Sequence, residues 1–223
     1  MIEKSQETGN RLVQLLAVAD DPFVGVRVGV VAALGMMGAG AAEAVPQIIE
    51  ALGDDSRDVR KEAAKALGLV GLFAVQTVPA LTASLRDESK LVRRESAKAL
   101  GLMGPDAKSA VPGLVAVLRD TTSEAQAESA KALGLIGADT TEVASALIHG
   151  LLQSSTWNVR RECARALGLI GRVNQEVVPA LVQGTKDSDP NVKTESEKAL
   201  RLLGAIVPGS EKGQNWGSER GRN

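Results

Sequence analysis

The chain has 223 residues, 44% of them hydrophobic but only 2% aromatic, with no Tyr, two Phe and two Trp. That apolar content can bury a continuous core and excludes a disordered chain or a disulfide-stapled miniprotein; the core must be aliphatic, which favours closely packed helices over an aromatic-rich sandwich or barrel. The 26 Lys and Arg nearly cancel the 27 Asp and Glu, so the chain as a whole offers no electrostatic footprint for nucleic acid or an acidic membrane.

In chain order, residues 1–8 read as a polar N-terminal extension, too polar for a signal peptide. With the single Cys163 unable to form an internal disulfide, the expectation is a cytoplasmic protein. Apolar spacing then predicts twelve helices in six pairs. First helices are expected near 9–19, 41–52, 74–86, 107–119, 140–153 and 173–186, and second helices near 23–37, 57–70, 90–103, 123–136, 156–170 and 190–204. Asp21-Pro22 and Asp189-Pro190 each read as an N-cap followed by proline at the first helical position. The uncharged stretch Val28–Ala42 falls short of the roughly 20 apolar residues that span a membrane. In the second unit Ile48, Ile49 and Leu52 should point inward, Gly53 should end the first helix, and Pro46 should bend it by removing a backbone hydrogen bond. Val59, Ala63, Ala66, Leu67 and Val70 fall on one face of the following helix. From Ala205 the pattern stops, and 205–223 has the composition of a disordered tail whose large apolar group, Trp216, is a possible linear anchor.

The strongest signal is repetition. Leu-Gly pairs recur at Leu34-Gly35, Leu67-Gly68, Leu100-Gly101, Leu133-Gly134 and Leu167-Gly168, spaced 33, 33, 33 and 34 apart, and Leu200-Arg201 closes the series. Val-Pro pairs keep the same register at Val45-Pro46, Val78-Pro79, Val111-Pro112 and Val178-Pro179, with Ala144-Ser145 the exception. Two markers in phase define units of 9–38, 41–71, 74–104, 107–137, 140–171 and 173–204, each able to bury its apolar faces only by stacking on its neighbours.

These units resemble the HEAT-repeat family, in its short bacterial subtype also seen in phycobilisome lyase-like proteins. The resemblance implies an all-α, right-handed α-α superhelix of six helical hairpins that binds other proteins, with second helices on the concave side. It also implies a ladder in which an Asp after the first helix and an Arg early in the second stitch consecutive units together. The pairs Asp21/Arg27, Asp54/Arg60 and Asp87/Arg93 fill those slots, whereas Asp120/Gln126, Ser154/Arg160 and Asp187/Lys193 are weakened. Units four and five each lack one partner, which predicts a softer joint there.

Three columns fall on the exposed side of the second helices: Lys61, Arg94, Ala127, Arg161 and Thr194; Glu62, Glu95, Glu128, Glu162 and Glu195; and Lys65, Lys98, Lys131, Arg165 and Lys198. They read either as solubilising pairs three residues apart or as a charge-striped groove for an elongated or acidic protein partner. The last unit looks capped, with Glu197 and Arg201 where siblings carry small residues, while the first places Val28, Gly29 and Ala32 in the charged slots. That uncapped end suggests self-association or docking through residues 9–37. Trp157 reads as an exposed hot spot or as a packed indole compensating for Ser154, and Cys163, in a slot for small residues, as an inert thiol. The single His149 has no ligand-spaced neighbours, so no metal, cofactor or catalytic group is expected. A bilin lyase subunit or pigment-protein chaperone is the alternative the resemblance suggests, and nucleic-acid binding is opposed by the glutamate column.

Overall fold

The computed structural model describes residues 2–70, 74–119, 123–171 and 175–208. Its helices are α1 (Ile2–Leu16), α2 (Val24–Met37), α3 (Val45–Glu50), α4 (Arg57–Val70), α5 (Ala74–Ser84), α6 (Lys90–Leu102), α7 (Val111–Leu118), α8 (Ser123–Ile136), α9 (Thr141–Gln153), α10 (Trp157–Ile170), α11 (Val177–Gly184) and α12 (Pro190–Leu202), with no strand among the described residues. The even-numbered helices pack in a row, each on the next, and the odd-numbered ones form a second layer against them. This is an α-α solenoid. Its core is one continuous aliphatic seam, to which the second helices give Leu34, Leu67, Leu100, Leu133, Leu167 and Leu200 and the first helices give Ile48, Leu81, Leu114, Leu147 and Leu181, all essentially inaccessible. Burying each such side chain stabilises by about 1.5–3 kcal/mol, and every unit shares that gain with its neighbours.

Glycine does two separate jobs in the repeat. At the first glycine of the motif the facing backbone fills the space where a side chain would begin: a Cβ on Gly68 would lie 3.0 Å from Ala99 Cα, on Gly101 3.0 Å from Ala132 Cα, and on Gly134 2.9 Å from Ala166 Cα. Only a residue without a Cβ lets successive second helices approach this closely. Three residues later Gly38, Gly104, Gly137, Gly171 and Gly204 take positive φ, between 52° and 73°, and turn the chain out of the second helix. Chain reversal therefore belongs to these glycines and not to Gly53, which sits in a 3₁₀ turn, Ala51–Gly53, that ends the first helix of its unit.

The first helices depart from expectation at proline. Pro46 and Pro112 do not bend a long helix; each sits in the first turn of a short one, α3 or α7, preceded by a 3₁₀ segment, Gly38–Ala44 or Gly104–Ala110. The missing N–H costs nothing there, because first-turn amides have no intrahelical partner. Pro79 alone of these three lies inside a helix, α5. At the N-terminus α1 begins at Ile2, seven residues before the predicted start. The run Val24–Gly53 is, by length and composition, long and apolar enough to cross a membrane, with mean hydropathy 1.7, which the shorter window Val28–Ala42 did not reveal. Gly38 and the non-helical Ala41 break it, and Val30, Val31, Leu34, Val45 and Ile48 are spent in the solenoid core. At the other end the Ala205 N–H donates to the Leu200 carbonyl at 2.9 Å and Val207 is buried, so the chain turns back on the last unit before the tail. Residues 209–223, with Trp216, lie outside the described residues.

Candidate functional site

The second helices meet the turn of the following unit at a polar joint. Arg27 donates from Nε and Nη2 to both carboxylate oxygens of Asp54, at 2.7 and 2.8 Å, and Arg160 grips Asp187 in the same way. Arg60 reaches Asp87 at 2.8 and 3.2 Å and adds Glu88 at 3.0 Å. In each case the carboxylate lies 27 residues on, in the following unit, whereas the residue six before the Arg (Asp21, Asp54 or Ser154) contributes its backbone carbonyl, as Asp54 does to Arg60 at 2.9 Å. The same carboxylate accepts the N–H two residues ahead, Ser56 for Asp54, Ser89 for Asp87 and Asp189 for Asp187, and so shapes the turn into the second helix. The Arg27 guanidinium hydrogen-bonded to Asp54 holds that carboxyl below its ordinary value of 3.8, and Arg160 does the same for Asp187. Asp21, at the head of the series, accepts from the Phe23 N–H, so it shapes a turn and does not cap α2, which starts at Val24; Asp189 caps α12 as expected. Arg93 holds the carbonyls of Asp87 and Glu88, and Asp120 lies outside the described residues.

This between-unit pairing corrects the within-unit bookkeeping of the sequence. Gln126 and Ser154, counted as one defect each in units four and five, face one and the same joint. There Gln126 donates to Leu118 in its own unit, and Ser154 keeps the turn, accepting from the Thr156 N–H at 3.3 Å, but has no charge to offer. The joint after unit five is intact through Arg160 and Asp187.

The outward face of the second helices is more positive than the sequence columns suggested. The glutamates are the less exposed charges: side-chain exposure runs from 7% at Glu162 through 8% at Glu95 to 27% at Glu128. The lysines lie over them. Lys65, Lys98, Lys131 and Lys198, 39% to 56% exposed, each pair with the Glu three residues before, and Arg94 and Arg161 fold onto Glu95 and Glu162. Lys61 pairs with Asp58 at 3.5 Å, and Arg165 is exposed. Carboxylates form the floor and cations the rim. One helical turn beyond the basic column runs a row that sequence reasoning missed: Leu69, Leu102, Leu135, Leu169 and Leu202, all between 41% and 68% exposed. Its signal was in plain view, since each of the first four directly follows the glycine of a Leu-Gly pair. Each leucine rests one methyl, Cδ1, over the corresponding glycine of the preceding unit and shows its other side to solvent.

The first unit leaves Val13, Val24, Val26, Phe23 (72%) and Met36 (80%) exposed. The last unit exposes Glu197 and Arg201, paired at 3.4 Å. Trp157 is half-exposed with the Arg161 guanidinium 5.1 Å from its ring centre, a cation-π contact that anchors the indole on α10 itself and not in the core. Cys163 is fully buried, and burial pushes its thiol well above the ordinary range, with Glu162 adding to the shift.

These features agree with known proteins at the level of fold. A designed armadillo repeat protein in complex with the peptide (KR)4 superposes with a TM-score of 0.70 at 21% identity, over 86% of this chain and 99% of that one. An engineered protein of a structural genomics programme gives 0.67 at 24% identity, over 87% and 96%. The complex of CpcE and CpcF of phycocyanin lyase from Nostoc gives 0.61 at 24% identity, over 85% of this chain and 76% of that one. No curated protein matches the sequence significantly. The sequence profile described as HEAT repeats matches residues 12–101, 78–149 and 144–212, and with the stacked hairpins and their shared seam this places the chain in the HEAT-repeat family.

Proposed function

We propose that the chain is a non-enzymatic scaffold that holds another protein on the face formed by its second helices, the concave side in this family. The observation that carries this reading is the basic column Lys65, Lys98, Lys131, Arg165 and Lys198, which stands outermost over a floor of paired glutamates on successive helices. Lys61, Arg94, Arg161 and Trp157 border the same surface. A set of like charges at a fixed repeat suits an elongated partner better than a small molecule. Affinity purification of the wild type beside a variant with Lys65, Lys98, Lys131 and Arg165 changed to Glu tests it: a specific partner should be lost from the variant, and a partner retained unchanged removes the reading.

The exposed Phe23 and Met36 favour a second contact, self-association or partner docking through residues 9–37. Sedimentation velocity at increasing concentration, with and without Phe23→Ser and Met36→Ser, should show a dimer that the substitutions abolish; a monomer throughout, with no partner captured, removes it. The bilin-lyase alternative has the fold likeness behind it and no side-chain feature of its own.

A further inference from the structure

The basic column and the leucine row lie four residues apart on every second helix from α4 to α12, Lys65 with Leu69 through Lys198 with Leu202. We propose that the partner presents an acidic amphipathic segment in extended conformation, its apolar side chains on the leucine row and its carboxylates on the basic column. This rests on the scaffold reading above and sharpens it.

Three observations select this occupant. The first is sign: although the whole chain is charge-balanced, the glutamate is the less exposed member of each of these pairs and the ammonium group the more exposed one, so an approaching segment meets positive charge. The second is the continuous apolar row beside that charge, at least 41% exposed at every position. Nucleic acid would satisfy the cations with phosphate but has no aliphatic groups to cover the leucines, whereas an amphipathic peptide covers both. The third is spacing. Successive second helices approach closely at Gly68 and Ala99, Gly101 and Ala132, and Gly134 and Ala166, which keeps their axes within the ~8–10 Å range of helix packing. An extended polyproline-type chain advances about 9.3 Å in three residues, so one apolar side chain at every third position keeps step with one leucine per unit. The first unit has Val28, Gly29 and Ala32 in the charged slots, so the track spans the five units that follow and takes a segment of about 15 residues.

The test uses the full chain and defined peptides. A fluorescein-labelled peptide of five Leu-Glu-Ser repeats is titrated with protein and read by anisotropy, beside five Leu-Lys-Ser repeats, five Ser-Glu-Ser repeats and a single-stranded DNA of equal length. The acidic leucine peptide should bind at least about tenfold more tightly than all three. Its binding should weaken when Lys98→Gln and Lys131→Gln are combined, and again when Leu102→Ala and Leu135→Ala are combined. Because the leucine change touches packing over Gly68 and Gly101, ellipticity and melting are measured for both variants; the lysine change lies on the surface and stands as a test by itself. Binding to none of the probes, equal binding of the lysine peptide or the DNA, or indifference to the leucine change in a folded variant each overturns the proposal. A purified partner that depends on the basic column but not on the leucines would leave the scaffold reading standing and remove this one. A partner indifferent to both rows would remove the scaffold reading itself.

Discussion

Two joints of the solenoid set packing against charge. Between units two and three, Arg60 holds Asp87 and Glu88 across the boundary; between units four and five the corresponding residues are Gln126 and Ser154, and no ion pair is chemically possible. Yet the backbones approach equally, with Gly68 as close to Ala99 as Gly134 is to Ala166, within 0.1 Å. Loss of the ion pair therefore does not open the joint. The glycine-alanine contact sets the distance between units, and the Arg-Asp bond adds stability and fixes the turn at a distance already set. Ser154 separates the two halves of the carboxylate's work, because its hydroxyl keeps the turn bond while the cross-unit bond is dropped.

The sharpest way to break this picture is to strike the contact that both joints share. Gly134→Val should lower stability to urea by about 3 kcal/mol, through overpacking against the Ala166 backbone. In contrast Gly29→Ala, where a Cβ meets nothing within 4 Å, should raise stability by about 0.5–1 kcal/mol by helix propensity alone. Equal losses at the two sites would show that the close approach is not the determinant. Next in size is Asp187→Ala, which should cost about 2 kcal/mol because it strands the half-buried Arg160 guanidinium, while Ser154→Ala removes one weak turn bond and should cost about 0.5 kcal/mol. Installing the missing pair, Gln126→Arg with Ser154→Asp, should add about 1 kcal/mol, and only in the double variant; a double-mutant cycle with no coupling would mean that the joint cannot seat a guanidinium.

The smallest effect is in pH. Asp54 and Asp187 titrate lower in the folded chain than their unfolded value of 3.8, so their contribution is fully present above that value and is lost as the pH falls through the lower folded one. The stability gap between wild type and Asp187→Ala, followed by urea denaturation from neutral pH downward, should hold constant until about pH 4.5 and close below it. A gap that persists in strong acid would assign the effect to packing.

Repeat length, helix pairing and the aliphatic seam were legible because the Leu-Gly marker recurs at a fixed spacing and a solenoid uses each unit in the same way. What the sequence hid was direction in space. Arg27 is six residues from Asp21 and 27 from Asp54, and the nearer residue in sequence invites the pairing; only the stacking of units shows that the carboxylate comes from the next one. The glutamate column looked as exposed as the lysines because both lie on one helical stripe, but the shorter side chain is the one its longer neighbours cover. Leu69 and its equivalents were passed over because they sit outside the inward-facing stripe and carry no charge to mark a surface column. The prolines were misplaced because a proline in a helix and a proline starting one give the same local signal, and the 3₁₀ segment before Pro46 and Pro112 carries no residue that announces it.

The glycine-alanine contact also makes the units interchangeable. Because Gly68 receives Ala99 as Gly101 receives Ala132, excising residues 69–101 would join Gly68 to Leu102 and bring Ala132 onto Gly68 through the same surface. Length is thus a free variable of this contact: duplication or loss of one whole segment in the gene changes how far the molecule reaches while leaving a glycine facing an alanine at the new junction.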